Sequence, residues 1–258
     1  MKVRLSTSNL RRGVLVLFLL TVLVNYASNT SLFGQPTMGE ISDKYHTLFT
    51  PAAYAFSIWG LIYLSLGAYV LYQAFSAHSK ERIYDQLAPW LMINLVANSL
   101  WLPVFLHELI ALSVIFILIL LGTLIQLQII LSQDTTLPPR ERARVRIPFS
   151  LYLGWVSVAT ITNLAVFIKY SGWQLPSASE PTWVVIMMVV GSLLSAVVAY
   201  ATRDGVLPLV FAWAYAAIAV ASSGQSPVAP VAWGLVAGLA VLSSILLVRR
   251  RQRSSVVA

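Results

Sequence analysis

Long apolar runs recur along the chain, separated by short segments that carry nearly all of its charged residues. Each run is roughly 20 residues long, which as a helix crosses a hydrocarbon core of about 30 Å. The ten-residue alternating segments that a membrane β-barrel requires do not occur. The pattern predicts eight spans, at about 13–29, 51–77, 87–106, 109–132, 146–169, 182–201, 205–222 and 228–248. The predicted fold class is therefore all-α, a polytopic membrane helical bundle.

Composition agrees with this class, because 58% of the residues are hydrophobic and only 10% are charged. The net charge of +8 would also fit a nucleic-acid surface. Its Lys and Arg residues lie beside apolar spans, however, so membrane lipid is the expected partner and nucleic acid is not. The chain has no cysteine, and its three histidines (46, 78 and 107) lack the spacing of metal ligands. No metal and no other cofactor is predicted.

The basic residues also predict the orientation of the spans. Successive loops lie on opposite sides of the membrane, and the 17 Lys and Arg residues are distributed very unevenly between the two sides. Only Lys44 and Lys169 fall on one of them. Basic residues concentrate on the cytoplasmic side. The other side carries Lys2, Arg4, Arg11, Arg12, Lys80, Arg82, Arg140, Arg142, Arg144, Arg146, Arg203, Arg249, Arg250, Arg251 and Arg253. We expect both termini in the cytoplasm, and the inner (plasma) membrane of the cell as the location.

The first span has two interpretations. Its basic start followed by "GVLVLFLLTVLV" fits a signal peptide as well as a membrane helix. No A-x-A-like cleavage site follows, because Asn25 occupies the −3 position for a cut after Ala27. A retained helix is the favoured prediction.

Two loops differ from the short connections. Residues 30–50 form a long mixed loop on the predicted outer side, and loops of that length are often functional lids. Residues 133–146, "QDTTLPPRERARVR", form a proline-broken basic segment on the opposite side. We expect the basic segment to set topology and to contact lipid headgroups.

Three spans each carry a stripe of aromatic and polar residues on one helical face. Their members are Phe56, Trp59 and Tyr63 in the second span, Asn94, Asn98, Trp101 and Phe105 in the third, and Tyr152, Trp155, Ala159 and Asn163 in the fifth. Buried amides need partners, so the asparagines should face the bundle interior. Helix packing and a small-molecule pocket lined by aromatic residues both account for the stripes.

Catalytic groups are scarce. The acidic residues lie in loops or at the ends of spans, and no span has an ionisable residue at its centre. A proton relay or an ion-coupled transporter would require such residues. No serine has a histidine positioned to activate it, so the sequence predicts a protein that is not an enzyme.

The last three spans are rich in small residues. Gly234 and Gly238 form a G-x-x-x-G in the eighth span, and Gly191 with Ser195 forms a similar pair in the sixth. Small residues at this spacing let helices approach closely. They serve either internal packing or a homodimer.

The stripes resemble the TspO/MBR family, that of the translocator protein and the tryptophan-rich sensory protein. The family pattern of Pro, Phe, Trp, Tyr and Gly after the first helix is matched by Pro51, Phe56, Trp59, Tyr63 and Gly67. The fifth-helix motif matches "LYLGWVSVATITN" without a gap, at Tyr152, Leu153, Trp155, Val156, Ala159 and Asn163. Lys44 stands where the family has a loop Trp, and Leu151 where it has a Pro.

This resemblance covers about residues 10–169 and implies two parts, a five-helix domain (1–169) and three additional helices with a basic tail (170–258). It implies a pocket for a flat hydrophobic ligand, tetrapyrrole- or sterol-like, with porphyrin foremost, and a role in sensing or transport. Porphyrin breakdown is implied by the resemblance alone. The predicted ligand-binding residues are Pro51, Phe56, Trp59, Tyr63, Asn94, Asn98, Trp101, Tyr152, Trp155 and Asn163. The alternatives are a secondary transporter of a small hydrophobic solute and a non-catalytic membrane scaffold.

Overall fold

A computed structural model describes residues 7–30, 34, 36–75, 82–173, 179–224 and 227–256. Within these ranges the chain is almost entirely helical and contains no strand, which confirms the predicted fold class. The helices are α1 (Thr7–Asn29), α2 (Met38–Lys44), a 3-10 helix (Ala53–Ser57), α3 (Ile58–Phe75), α4 (Arg82–Leu106), α5 (Ile110–Gln133), α6 (Pro139–Tyr170), α7 (Glu180–Thr202), α8 (Val206–Ala221) and α9 (Val228–Val256).

In the described part of the chain, seven helices are long and apolar enough to cross a membrane, so the protein is a multi-pass integral membrane protein. They correspond to seven of the eight predicted spans. The remaining span, predicted at 205–222, is α8, whose 16 residues extend only about 24 Å. The second predicted span, 51–77, begins with the 3-10 helix, and its last two residues lie outside the described residues.

The basic segment at 133–146 is only partly a loop. A short turn follows α5, in which the Asp134 carboxylate accepts hydrogen bonds from the backbone amides of Thr136 (3.2 Å) and Leu137 (3.0 Å). Helix α6 then begins at Pro139, so most of the basic residues lie in its first turns. A proline is tolerated there because the first turn of a helix has no acceptor for its backbone amide.

The chain packs into two compact units. Unit 1 comprises Met1–Met38 and Trp59–Phe149, and unit 2 comprises Gly39–Ile58 and Ser150–Ala258. The division predicted at residue 169 stays a prediction. Of the basic residues used to predict orientation, Lys2, Arg4 and Lys80 lie outside the described residues.

In unit 1, α4 is the central helix and packs against both α1 and α5. Its leucines 87, 91 and 95 are at most 1% exposed, as are Leu120 and Leu124 of α5. Burial of such side chains from lipid gains little hydrophobic free energy, so close packing and interhelical hydrogen bonds stabilise this unit.

In unit 2, α8 packs against α7 and α9 and is buried on most of its surface. Small residues permit this close packing. A Cβ atom added at Gly154 of α6 would lie 2.7 Å from the Val210 Cβ, and one at Gly191 of α7 would lie 2.5 Å from the Tyr215 hydroxyl. Gly191 therefore serves internal packing, one of its two predicted roles.

The G-x-x-x-G of α9, unlike Gly191 of α7, is not used for packing between the described helices. No atom of the described chain lies within 4 Å of the position that a Cβ would take at Gly234 or Gly238. The described part of the chain does not pack against these glycines, and a homodimer seam at α9 stays a prediction.

Candidate functional site

Four aromatic side chains of unit 1 form a continuous cluster between α3 and α4. The Trp59 ring stacks on Tyr63, with centroids 5.5 Å apart, and lies 6.1 Å from the Trp101 ring. The Trp101 ring stacks in turn on Phe105 at 5.9 Å. We call these residues, with Asn98, the unit 1 aromatic cluster. Trp59 and Tyr63 lie one helical turn apart on α3, and Trp101 and Phe105 lie one turn apart on α4. The contact between Trp59 and Trp101 joins the two pairs.

Asn98 is the polar centre of this cluster and is fully buried. Its Oδ1 accepts hydrogen bonds from the Tyr63 hydroxyl (3.1 Å) and from Asn25 Nδ2 (2.8 Å). Asn98 therefore connects α1, α3 and α4. Sequence reasoning missed Asn25, because the two asparagines of the first span, Asn25 and Asn29, are not part of an aromatic stripe.

The indole N–H of Trp101 differs from the Tyr63 hydroxyl and the Asn98 amide oxygen in its hydrogen bonding. The Trp101 side chain is only 4% exposed, and its Nε1 has no hydrogen-bond partner among the described residues. An indole nitrogen can only donate, and a buried Trp N–H usually finds an acceptor. A ligand carrying a hydrogen-bond acceptor beside the stacked rings would meet this need.

The Asn94 amide nitrogen donates its hydrogen bonds to α5 and not toward the aromatic rings. Its Nδ2 donates to the Thr123 hydroxyl (2.8 Å) and to the Leu120 carbonyl (3.2 Å). This side chain joins α4 to α5, although it lies one turn from Asn98 and was predicted for the same stripe.

The remaining predicted residues belong to unit 2. Tyr152, Trp155 and Asn163 of α6 are buried, each at most 3% exposed, and Pro51 is also buried. The Phe56 ring meets Trp155 edge-on, with centroids 6.0 Å apart. Trp155 Nε1, like that of Trp101, has no partner within the described ranges. The predicted residues thus form two groups, one in each unit.

The segment before α3, residues 45–57, is held by helices that follow residue 150. The Ala52 amide donates to the Ala217 carbonyl (3.1 Å), and Trp213 Nε1 donates to the Ala55 carbonyl (3.2 Å). The Trp213 ring also meets Tyr54 edge-on at 5.4 Å. The start of the predicted second span, just after the outer loop, is therefore bound to α8.

Two charged residues hold the same segment at its start. The Leu48 amide donates to Glu180 Oε1 (2.9 Å), and Lys169 Nζ donates to the His46 carbonyl. Sequence reasoning assigned no role to Glu180, Lys169 or Trp213. Trp213 was detectable as a lone tryptophan in a span of small residues, whereas the two charged residues had no signal beyond their position at or near the ends of apolar spans.

A separate groove of about 450 Å³ lies between α1 and α4 of unit 1. None of the predicted site residues lines it. Its lining is mostly apolar and consists of Leu23, Val24, Ala27, Ser28, Pro103, Leu106 and His107.

Acidic and histidine side chains do not gather into a metal-binding group anywhere in the described ranges. Outside the membrane-spanning helices, Asp134 has a lowered pKa. Burial alone would raise this pKa, but hydrogen bonds from Thr136 and Leu137 and the charge of Arg142 together lower it. Nothing in this turn resembles a catalytic arrangement.

Comparison with known proteins agrees with the helical membrane architecture. No curated protein and no solved structure matches the sequence. The family described as TSPO-like protein matches residues 12–247, which includes the helices that follow residue 169. Because this match spans most of the sequence, the chain belongs to the TSPO-like protein family.

Proposed function

We propose that the protein binds a flat hydrophobic small molecule, tetrapyrrole- or sterol-like, for sensing or transport. The observation that carries the proposal is the buried indole N–H of Trp101, which has no hydrogen-bond partner among the described residues and lies within a stacked aromatic cluster. Stacked rings suit a planar ligand, and the N–H supplies a directional contact for a polar atom on it. Family membership supports the same proposal.

The binding test uses the full chain in detergent, titrated with protoporphyrin IX and followed by the absorbance shift of the porphyrin. Trp101→Phe keeps an aromatic ring and removes the N–H. A lost neutral hydrogen bond of about 1 kcal/mol predicts a dissociation constant raised roughly fivefold. Trp233→Phe is the matched control, because Trp233 of α9 is half exposed and should leave affinity unchanged.

The unit 2 group is tested in the same way by Trp155→Phe. A weaker affinity in this variant assigns the Phe56–Trp155 contact to the ligand. No saturable binding in the wild type, of either porphyrin or a sterol, would refute the proposal as a whole. Slow loss of porphyrin absorbance with time would instead indicate an enzyme, contrary to our expectation.

A non-catalytic scaffold is the second candidate, favoured by the interhelical hydrogen bonds of Asn94 and Asn98. It requires that the buried amides affect stability and leave ligand binding untouched. A transporter is tested by the movement of porphyrin into sealed vesicles, with and without an ion gradient.

We further propose that both termini are cytoplasmic, in the inner (plasma) membrane. The chain has no cysteine, so single introduced cysteines report topology cleanly. An impermeant maleimide should label Ser171→Cys in intact cells and label Thr135→Cys only after permeabilisation. The opposite result would reverse the orientation.

A second copy of the chain is a further proposed partner, with the exposed glycines of α9 as its seam. Native mass spectrometry should then find a dimer in the wild type and a monomer in Gly238→Leu. A wild-type monomer would refute the seam.

A further inference from the structure

Four buried polar atoms at one end of unit 1 have no hydrogen-bond partner among the described residues. They are Tyr69 Oη, Gln73 Nε2, Gln73 Oε1 and Arg11 Nε. The side chains are deeply buried, since Gln73 is 0%, Tyr69 4% and Arg11 6% exposed. We call these three residues the Gln73 cluster. Polar atoms that lose their hydration without a replacement bond are costly and rare in folded proteins.

The three residues are neighbours. Tyr69 and Gln73 lie one turn apart on α3 and so share a face. The Tyr69 ring lies 6.2 Å from the Tyr84 ring, and the Arg11 guanidinium lies 5.8 Å from the centre of that same ring. Arg11 is also close enough to Tyr69 to interact electrostatically. Tyr84 is therefore the common neighbour of Tyr69 and Arg11, and Gln73 adjoins Tyr69 on α3.

The charged groups beside the Gln73 cluster already have partners that do not use the four atoms. Arg11 Nη2 donates to Asp85 Oδ1 at 3.2 Å. Glu141 Oε1 accepts from the hydroxyls of Tyr72 (2.7 Å) and Tyr84 (3.0 Å). Within the described ranges, these contacts leave the cluster with donors and one amide oxygen that bond to no other group.

We propose that the Gln73 cluster is a binding site for ordered water inside the bundle. The charged groups in the contacts above are the Arg11 guanidinium and the Asp85 and Glu141 carboxylates, a balance that does not favour an anion. A cation is disfavoured as well, because the N–H hydrogens of Gln73 and Arg11 carry partial positive charge and would repel it. A neutral molecule that both donates and accepts matches the Gln73 amide and the Tyr69 hydroxyl, and a buried water typically makes about three hydrogen bonds.

The Gln73 cluster lies where water can reach it from the solvent. Tyr84 lies in the first turn of α4, which begins at Arg82, and Gln73 lies in the last turn of α3, which ends at Phe75. The cluster is thus near an end of the membrane-spanning helices, within a short distance of aqueous solvent.

X-ray radiolytic footprinting tests the proposal on the full chain in detergent, because it generates hydroxyl radicals from water bound beside a side chain. Tyr69 should be oxidised several times faster than Tyr215. Tyr215 is the control, since it is also buried (0% exposed, against 4% for Tyr69) but its hydroxyl donates to the Met188 carbonyl at 3.0 Å. Equal and slow oxidation of the two tyrosines would show a dry cluster and overturn the proposal.

Thermal unfolding gives a second measurement. If the four atoms bond to water, Tyr69→Phe and Gln73→Leu remove those bonds and lower the Tm, as Tyr215→Phe should. If the cluster is dry, the same two substitutions remove unpaired polar atoms and raise the Tm, which would also overturn the proposal.

Discussion

Replacing Asn98 by leucine tests how strongly one buried amide holds unit 1 together. The side chain is fully buried, and its Oδ1 accepts from Tyr63 and Asn25. Leucine is similar in size but has no acceptor. Both hydrogen bonds are therefore lost, while the shape of the site changes little.

The expected loss follows from these two bonds. Hydrogen bonds between membrane helices average about 0.6 kcal/mol, and intramolecular hydrogen bonds in general contribute about 1 kcal/mol. The Asn25 amide keeps its bond to the Thr21 carbonyl (2.9 Å), so it is not left fully unpaired. We expect Asn98→Leu to reduce the free energy of unfolding by about 1–2 kcal/mol, which for a chain of this size lowers the Tm by about 2–8 °C.

The assay is thermal unfolding in detergent, monitored by circular dichroism, for a double-mutant cycle of Asn25→Ala and Asn98→Ala. Their coupling should be on the order of 0.5–1 kcal/mol. Asn29→Leu, at the exposed end of α1, is a control expected to change stability by less than about 0.5 kcal/mol. A coupling near zero would refute the assigned Asn25–Asn98 bond.

The Asn98→Leu variant also distinguishes between ligand binding and a scaffold, the two candidate functions. If the unit 1 aromatic cluster binds a ligand, Asn98→Leu should weaken porphyrin affinity as well as stability, because Tyr63 loses the bond that orients its ring. If the protein is a scaffold, only stability changes.

Three other predictions concern different parts of the molecule. Gly154→Ala should cost about 1–3 kcal/mol in unfolding measurements, because the new methyl group would lie 2.7 Å from the Val210 Cβ. Glu180→Ala should speed hydrogen exchange of the Leu48 amide, measured by mass spectrometry, because that amide loses its acceptor. Asp134 has a pKa below its usual value, so its ionised form favours the folded state at neutral pH. That contribution is lost as the pH falls below about 4, and Asp134→Asn should flatten the acid side of a Tm-against-pH curve.

Each of these predictions has a matched comparison. Gly60→Ala should be neutral or stabilising, because no atom of the described chain lies within 4 Å of its Cβ position. Glu180→Gln retains an acceptor and should keep the Leu48 amide protected. A Gly154→Ala variant as stable as Gly60→Ala would contradict the close packing of α6 on α8. An unchanged acid profile in Asp134→Asn would contradict the assigned pKa.

Parts of the candidate site were visible in the sequence because they depend on helical spacing alone. Trp59 with Tyr63, and Trp101 with Phe105, are stacked pairs within single helices. Asn94 shows the limit of that reasoning. It lies one turn from Asn98, yet it bonds to α5, because the partner of a side chain depends on which helix packs beside it.

The outer loop shows the same limit over a longer distance. Its length indicated a functional segment, but the partner of its Leu48 amide is Glu180, 132 residues later in the chain. Just after the loop, the Ala55 carbonyl accepts from Trp213, 158 residues later. No local pattern encodes such pairs.

The amino-acid sequence by itself determined the membrane class, the positions of the apolar helices and the aromatic stripes. Each of these follows from local hydrophobicity and from the 3.6-residue period of a helix. Only the tertiary structure decided that α8 is short and buried and that the segment before α3 is held by α6, α7 and α8. It also decided that polar atoms of Trp101 and Gln73 have no partner within the part of the chain that the structure describes. These features depend on which helices pack together, and residues far apart in the chain determine that packing.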